Sequence, residues 1–593
     1  MKWAERISAS WPVYKRFWPE LRPHRLSLLL VLACAALVAA CQVLQPWPTS
    51  WIFDHALAPK RPQPHGWSFY VWTGAAAYLG IVLLNAALEF SADLLTARVG
   101  HFVSRSLRLR VFQHMALLSP RFHARNKSGD LLVRLIGDVS IVRSMLVDAL
   151  IELIMRGLWI GGTVAVMVWV DPLLSLALFA LLPLIAWIVR RMSGSIRSAA
   201  RKQRSKEGEL ADFLHEAIAA TDVIQSLGAE GDIVHRFARG NRSSERAGLA
   251  AARLSARLSA SVQSLLGTGV ALTLALGSWR VATGHLSPGE LLVFLSYVRG
   301  LLKPVRSASR NSEKIAKGAA CGERLLEVLD EPIAIQSPPG APPAPATPRE
   351  LAFEEVWFRY DDERDALRGF SATLKRGELT GVFGRSGAGK STMAALAVRL
   401  YDPDRGVVKL DGRDVRAFEL GSLRERFGVC LQRSVLFGDS IRENLHLGRP
   451  AATDDELWSA LEGAGAAAFV RTLPKGLDTL LGSAGVGLSG GQARRIALAR
   501  TLLRRAPILI VDEPFTGLDR AAAARVQATL RELARDALVV VIAHEREFLD
   551  AYDRVIFVQN GAVRGAGLHA DLQRESEDYR VTLHAAPGLE GGV

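Results

Sequence analysis

Leu379-Thr380-Gly381-Val382-Phe383-Gly384-Arg385-Ser386-Gly387-Ala388-Gly389-Lys390-Ser391-Thr392 organises the C-terminal half of the chain. A run of strand type leads into Gly-x-x-x-x-Gly-Lys-Ser, and the residues beyond it have helical character. In that context the pattern holds a phosphate chain rather than an idle turn. Gly384, Ser386, Gly387 and Gly389 leave backbone N–H groups free to wrap phosphate oxygens, and the start of the next helix adds positive dipole. Lys390 has the reach for β- and γ-phosphates, Ser391 offers a hydroxyl to Mg²⁺, and Thr392 completes the nucleotide-binding set.

The alternation continues on either side of this loop. Val407–Leu410, Ile508–Val511 and Leu538–Ile542 are further β-type runs separated by helical patterns. They predict an α/β domain with a largely parallel sheet over 351–580, followed by a tail, 581–593. Ile508-Leu509-Ile510-Val511-Asp512-Glu513 reads as a buried strand ending in two carboxylates at the ligand edge of that sheet. Asp512 is placed to hold Mg²⁺ through water. Glu513, one residue further into solvent, suits a general base on an attacking water.

The N-terminal half has a different solvent. Leu26 to Phe53 and Gly66 to Leu88 carry no charge, and each exceeds the roughly 20 residues that cross a bilayer core. Ile151 to Val189 is charged only at Glu152, Arg156 and Asp171, and Asp171-Pro172 marks a turn between two spans. Leu258 to Trp279 is again uncharged, while Leu286 to Arg306 is apolar but interrupted. The expected spans are about 26–47, 68–90, 149–170, 172–190, 258–280 and 286–306, within a membrane domain over 26–330. Lys and Arg number six in residues 1–25, nine in 91–144 and thirteen in 190–257, against two in 54–65. That asymmetry predicts a cytoplasmic N-terminal segment, 1–25, and an even number of spans if the C-terminal half is also cytoplasmic. Trp47, Trp51, Trp67, Trp72, Trp169 and Trp279 fall near the proposed outer ends. The long inner loops read as helices continuing out of the membrane. A stretch with seven prolines, 331–350, is the expected linker.

Between the phosphate loop and Asp512 lies Leu488-Ser489-Gly490-Gly491-Gln492, and after the strand Val540-Val541-Ile542-Ala543 comes His544. This order resembles the ATPase domains of ABC transporters, whose hallmark is the Leu-Ser-Gly-Gly-Gln pentapeptide. With six spans ahead of one such domain, the whole chain resembles an exporter-type half-transporter of the lipid flippase and multidrug kind. Gly129 to Leu135 and Phe294 to Pro304 are similar to segments of the first inner loop and sixth helix of that family. The resemblance implies ATP and Mg²⁺ as ligands and adenine stacking for Tyr360. It implies contact of Gln432 with Mg²⁺ and attacking water, γ-phosphate contact for His544 and a dimer-interface place for Asp519. It further implies that Ser489, Gly490, Gly491 and Gln492 close over ATP held by a second subunit, so that hydrolysis needs a dimer. Because Glu513, His544, Ser489 and Lys390 are all present, a homodimer is expected, with a related half-transporter as the alternative partner.

Two departures stand out. The usual Gly-Glu-Arg-Gly before the hallmark is Gly482-Ser483-Ala484-Gly485, which alters a charge contact near the cytoplasmic helices. The usual Thr-His-Arg is Ala543-His544-Glu545, which changes the support of His544.

The formal net charge of +14 would suit nucleic acid, but the basic residues concentrate in loops beside the spans, where topology and acidic lipid explain them. A nucleic-acid-associated ATPase is therefore disfavoured. Four scattered cysteines without a Cys-x-x-Cys pair exclude a disulfide framework or structural zinc. Asp148, Glu152 and Arg156 share one helix face and form either a boundary ion-pair cluster or a polar patch on a transport cavity. The expected activity is ATP-driven export or flipping of an amphipathic solute by alternating access in a bacterial inner membrane. An ATP-gated channel or regulator of the same architecture is the alternative.

Overall fold

The computed structural model describes residues 11–57, 64–300, 302–360, 365–432, 435–482, 487–543 and 545–585. They form two compact units, one of residues up to 115 with 129–330, the other of 116–128 with 331 onward.

The first unit is helical. Its main helices are α1 (Arg25–Leu44), α2 (Trp67–Leu117), α3 (Leu150–Val170), α4 (Leu181–Ala219), α5 (Glu230–Ala282), α6 (Pro288–Gly300) and α7 (Leu302–Asp330). Among the described residues, five helical segments are long and apolar enough to cross a membrane: Trp11–Leu57, Trp67–Leu117, Ser128–Val170, Pro172–Ala219 and Glu230–Ala282. At 1.5 Å per residue, α2 with 51 residues and α5 with 53 extend to nearly 80 Å, more than twice a bilayer core of about 30 Å. Only 6% of the most apolar stretch of α2 is buried, and Leu79, Leu83, Leu84 and Phe90 point outward, as a surface solvated by lipid requires. The sixth expected span, 286–306, is not among these five; over it lie α6, which begins at Pro288 and has 13 residues, and the start of α7, with residue 301 outside the described residues.

The expected turn at Asp171-Pro172 is built by the aspartate. Its Oδ1 accepts from the N–H groups of Leu173 and Leu174, both at 3.0 Å, so it caps a helix that opens with proline. Its Oδ2 accepts from Arg280 Nε at 2.7 Å, tying the turn to the end of α5. Beneath it, Met167, Leu174 and Leu178 pack with Phe294, Tyr297 and Val298 of α6.

The second unit carries ten strands among its described residues: β1 (Glu350–Arg359), β2 (Asp365–Lys375), β3 (Leu379–Phe383), β4 (Arg405–Leu410), β5 (Arg413–Asp414), β6 (Phe427–Cys430), β7 (Ile508–Asp512), β8 (Leu538–Ala543), β9 (Arg554–Gln559) and β10 (Ala562–Gly567). They make a four-stranded antiparallel sheet, β2-β1-β4-β5, and a six-stranded sheet, β10-β9-β3-β8-β7-β6. In the larger sheet all neighbours are parallel except β10 on β9. Among the helices of this unit are α8 (Lys390–Ala397), α9 (Gly490–Leu503) and α10 (Arg520–Ala534). β3, β7 and β8 are buried along their whole length, which is why they read as continuous apolar runs without alternation.

The proline-rich stretch is pinned to this unit. Ala344 N donates to Ser422 Oγ at 2.9 Å, Leu420 N to Ser337 Oγ at 2.8 Å and Glu419 N to Pro342 O at 2.9 Å. Residues 116–128 also belong here. Within them Arg121 lies over the Phe358 ring, 4.9 Å from its centroid, and donates to Arg359 O.

Candidate nucleotide site

β3 ends at the centre of the larger sheet, between β8 and β9, and delivers the phosphate loop there. Two glycines are sterically required. A Cβ on Gly384 would stand 2.1 Å from Val558 O, and one on Gly389, whose φ is +100°, would stand 2.5 Å from Ala366 O. Gly387 also has positive φ, at +79°. The loop can therefore approach a ligand with bare backbone, and α8 starts at Lys390 directly beyond it.

Lys390 is buried, and its Nζ donates to Gly384 O at 2.6 Å and Arg385 O at 2.9 Å, arching over the loop. Burial holds its pKa below the usual lysine value, against the opposing pull of Asp512 and Glu513. Asp512, the last residue of β7, accepts from Ser391 Oγ at 2.6 Å. Burial pushes its carboxyl above the ordinary aspartate range, and the Ser391 hydrogen bond opposes that rise. A hydroxyl and a buried carboxylate with raised proton affinity form a hard-oxygen pair that suits Mg²⁺, and a cation there would relieve the cost of the buried charge.

Glu513 breaks the strand. Its φ of +53° lies in the left-handed region, uncommon for a residue other than glycine, while its N–H still bonds Ile542 O at 2.8 Å. That turn separates two adjacent acids: Asp512 faces Ser391, and Glu513 Oε1 accepts from Gln432 Nε2 at 3.0 Å. Gln432 and Glu513, read separately from the sequence, thus meet.

Tyr360 follows β1 and remains partly exposed, with its hydroxyl donating to Thr392 Oγ1 at 3.2 Å. Tyr401 and Phe358 hold its ring by edge contacts at 5.4 and 5.0 Å. Ser489 caps α9 in a closed capping box: Ser489 Oγ accepts from Gln492 N at 3.2 Å, and Gln492 Oε1 accepts from Ser489 N at 2.9 Å. Gly490 and Gly491 form its first turn, and a Cβ on Gly491 would meet Gly517 O at 3.0 Å. Asp519 caps α10 by accepting from Ala522 N at 2.7 Å. Ser386 lies in the phosphate loop. His544 lies outside the described residues, as do Ser483, Ala484 and Gly485.

Sequence reasoning passed over three residues. Arg494 of α9 donates to Gln432 O at 2.8 Å and to Glu513 O at 3.3 Å. Tyr401 buttresses Tyr360, and Arg121 brings residues 116–128 to the foot of β1. A signal existed for Arg494: Ile496, Ala497, Leu498 and Ala499 make α9 a buried helix, so its arginines needed acceptors inside the fold.

Residues 28–305 match the ABC transporter transmembrane region, and residues 367–516 match the ABC transporter family model. The chain is 31% identical over 585 residues to the ATP-dependent lipid A-core flippase of Alkalilimnicola ehrlichii, covering 97% of this chain and 96% of that protein. It is 33% identical over 562 residues to the flippase of the same name from Dechloromonas aromatica, covering 94% and 95%. Among solved structures, that of a bacterial Atm1-family ABC exporter with ATP bound superposes with a TM-score of 0.79 at 26% identity, covering 95% of this chain and 98% of that one.

Proposed function

The chain belongs to the ABC transporter family, a multi-pass membrane exporter that couples ATP hydrolysis to transport, and on that premise we propose how its residues do so. The protein works as one half of a homodimer in a bacterial inner membrane, with its N-terminus and nucleotide unit in the cytoplasm. It moves an amphipathic solute by alternating access through six spans. The observation that carries this reading is the meeting of Lys390, Ser391, Asp512, Gln432 and Glu513 at one end of the sheet, in a chain that also carries the helices of a transporter.

The phosphate loop binds the triphosphate through backbone N–H groups, and Lys390 leaves its carbonyls for the β- and γ-oxygens. Ser391, Asp512 and Gln432 would hold Mg²⁺. When bound, that ion neutralises charge developing on the phosphates. Gln432 orients the attacking water and Glu513 takes its proton, which the hydrogen bond between the two side chains makes a concerted arrangement. Tyr360 stacks on adenine. The Ser489 turn of the second copy closes over the γ-phosphate, His544 contacts it from its own chain, and Asp519 lies at the contact between copies.

A cavity of about 950 Å³ in the helical unit supports an amphipathic solute. Tyr78, Trp159 and Tyr297 line it beside Gln42, Glu89 and Glu152. Glu152 pairs with Arg156 and, at 3.3 Å, with Lys314, and Asp148 pairs with Arg143 at 2.9 Å. Glu152 and Arg156 of α3, with Asp148 just ahead of it, are thus paired and also line the cavity.

Purified protein in sealed vesicles tests the proposal. ATP should drive vectorial accumulation of a lipid or lipophilic solute, whereas ATP-dependent dissipation of a gradient would identify a channel instead. Glu513→Gln should keep ATP binding, lose at least about 100-fold in turnover and accumulate the closed dimer. Hydrolysis at the normal rate in that variant would remove Glu513 from the role of base.

A further inference from the structure

Helix α9 begins at the Ser489 capping box, and its flank is fastened along the segment that carries Gln432. Arg494 donates to Gln432 O at 2.8 Å, Arg500 to Val435 O at 3.2 Å, and Thr501 Oγ1 to Val429 O at 3.4 Å. Only the first of these also touches the catalytic carboxylate residue. Arg494 reaches Glu513 O at 3.3 Å and lies 3.9 Å from Glu513 Oε2, while Gln432 Nε2 closes the triangle on Glu513 Oε1 at 3.0 Å. The Arg494 and Glu513 side chains are both largely shielded from solvent, so the guanidinium is a fixed fork rather than a wandering surface charge.

We propose that Arg494 is a positioning residue that links the two ATP sites of the dimer through α9. The inference rests on the reading that the Ser489 turn serves the partner's nucleotide. The helix that meets ATP on the second copy is then the helix that sets the backbone of Gln432 and Glu513 in its own chain. An α-helix of 14 residues transmits displacement at its first turn to the next turn with little loss, because its backbone hydrogen bonds are internal. Closure of α9 on one nucleotide pulls Gln432 and Glu513 of the other site into register. Arg494 acts through two carbonyls and a carboxylate, and the positive φ of Glu513 makes that residue's direction sensitive to a shift of its carbonyl.

The test uses full-length protein in lipid nanodiscs, with Arg494→Gln, Arg494→Lys and, as a control for damage near the helix, Arg504→Gln, whose target is Arg424 O. Arg494→Gln should lower kcat about 30-fold or more with KM for ATP within about threefold of wild type, because pre-alignment is lost while binding groups remain. The Hill coefficient for ATP should fall to about 1, the value for uncoupled sites. Arg494→Lys, which keeps the charge but can reach only one carbonyl, should recover part of the rate and not the cooperativity. It carries the test if Arg494→Gln does not fold. Arg504→Gln should match wild type in both measures. Wild-type kcat in a dimeric Arg494→Gln protein, or a loss confined to KM, would overturn the proposal. Full-speed hydrolysis by protomers that light scattering finds solitary would instead overturn the dimer reading, and the kcat effect of Arg494→Gln on its own Gln432 and Glu513 would still be read.

Discussion

Asp512 and Lys390 lie close to the phosphate loop, where burial disfavours their charged forms, and the signs of their shifts make a prediction. A carboxyl whose pKa is raised in the fold binds its proton longer than in the unfolded chain. Stability therefore falls as pH rises through the window between the ordinary aspartate value and the raised one. A lysine whose pKa is lowered loses its proton early, so stability recovers only as pH climbs from the lowered value toward the ordinary one. Where both groups are charged, their burial costs the nucleotide-free fold stability, and a bound Mg²⁺-triphosphate would offset that cost. Asp512→Asn should raise Tm without nucleotide at neutral pH and shrink the extra Tm that Mg²⁺ adds to ATP; a variant that melts like wild type with and without Mg²⁺ would contradict this. At this scale the residues that meet beside the phosphate loop were largely legible. Loop, lysine, hydroxyl and acids are chemistry carried by types in fixed spacing. What the spacing could not carry was the left-handed Glu513, which aims two adjacent acids at different partners, or the reach of Arg494 across 62 residues to Gln432.

Elements were legible where their solvent is uniform. Strands β3, β7 and β8 are buried on both faces and read as apolar runs, and the membrane helices read the same way at greater length. The stretch expected as a sixth span is interrupted by Glu290 and Arg299 and is not among the five long apolar segments, and the place of residues 116–128 in the nucleotide unit has no local signature at all. The turn between α3 and α4 was placed by Asp171-Pro172, but its strength comes from tertiary structure. Asp171 caps one helix and pairs with Arg280 from another, with its side chain fully buried. Asp171→Ala removes both functions and leaves Arg280 with no carboxylate, which should cost about 3 kcal/mol, at the low end for breaking a buried pair. Asp171→Asn keeps a capping oxygen and should cost less. Thermal unfolding in lipid measures the order; equal losses for the two variants would mean that the ion pair contributes nothing beyond the cap.

For the whole molecule the decisive question is whether one ATP site is made by one chain or by two. Within one protomer the Ser489 turn is closed on itself by its capping box, and the Lys390 loop is gathered at the end of β3. Complementation between defective copies answers it. Lys390→Ala removes the phosphate lysine, and Ser489→Arg places a bulky side chain where the γ-phosphate of the partner's nucleotide would sit. Each variant alone should be nearly inactive whether sites are shared or not. In a mixed dimer with shared sites, one site takes Lys390→Ala from one chain and Ser489→Arg from the other, so both lesions fall together. The second site then receives an intact Lys390 and an intact Ser489. Equal co-expression makes half of the dimers mixed, so activity should recover to at most about a quarter of wild type, and to less if the two sites must fire cooperatively. If each chain builds its own site, every site in every dimer keeps one lesion and mixing restores nothing. Recovery above the sum of the two separate variants is therefore the signature of ATP held between two copies, and its absence in dimers shown to be mixed would return the hydrolytic site to a single chain.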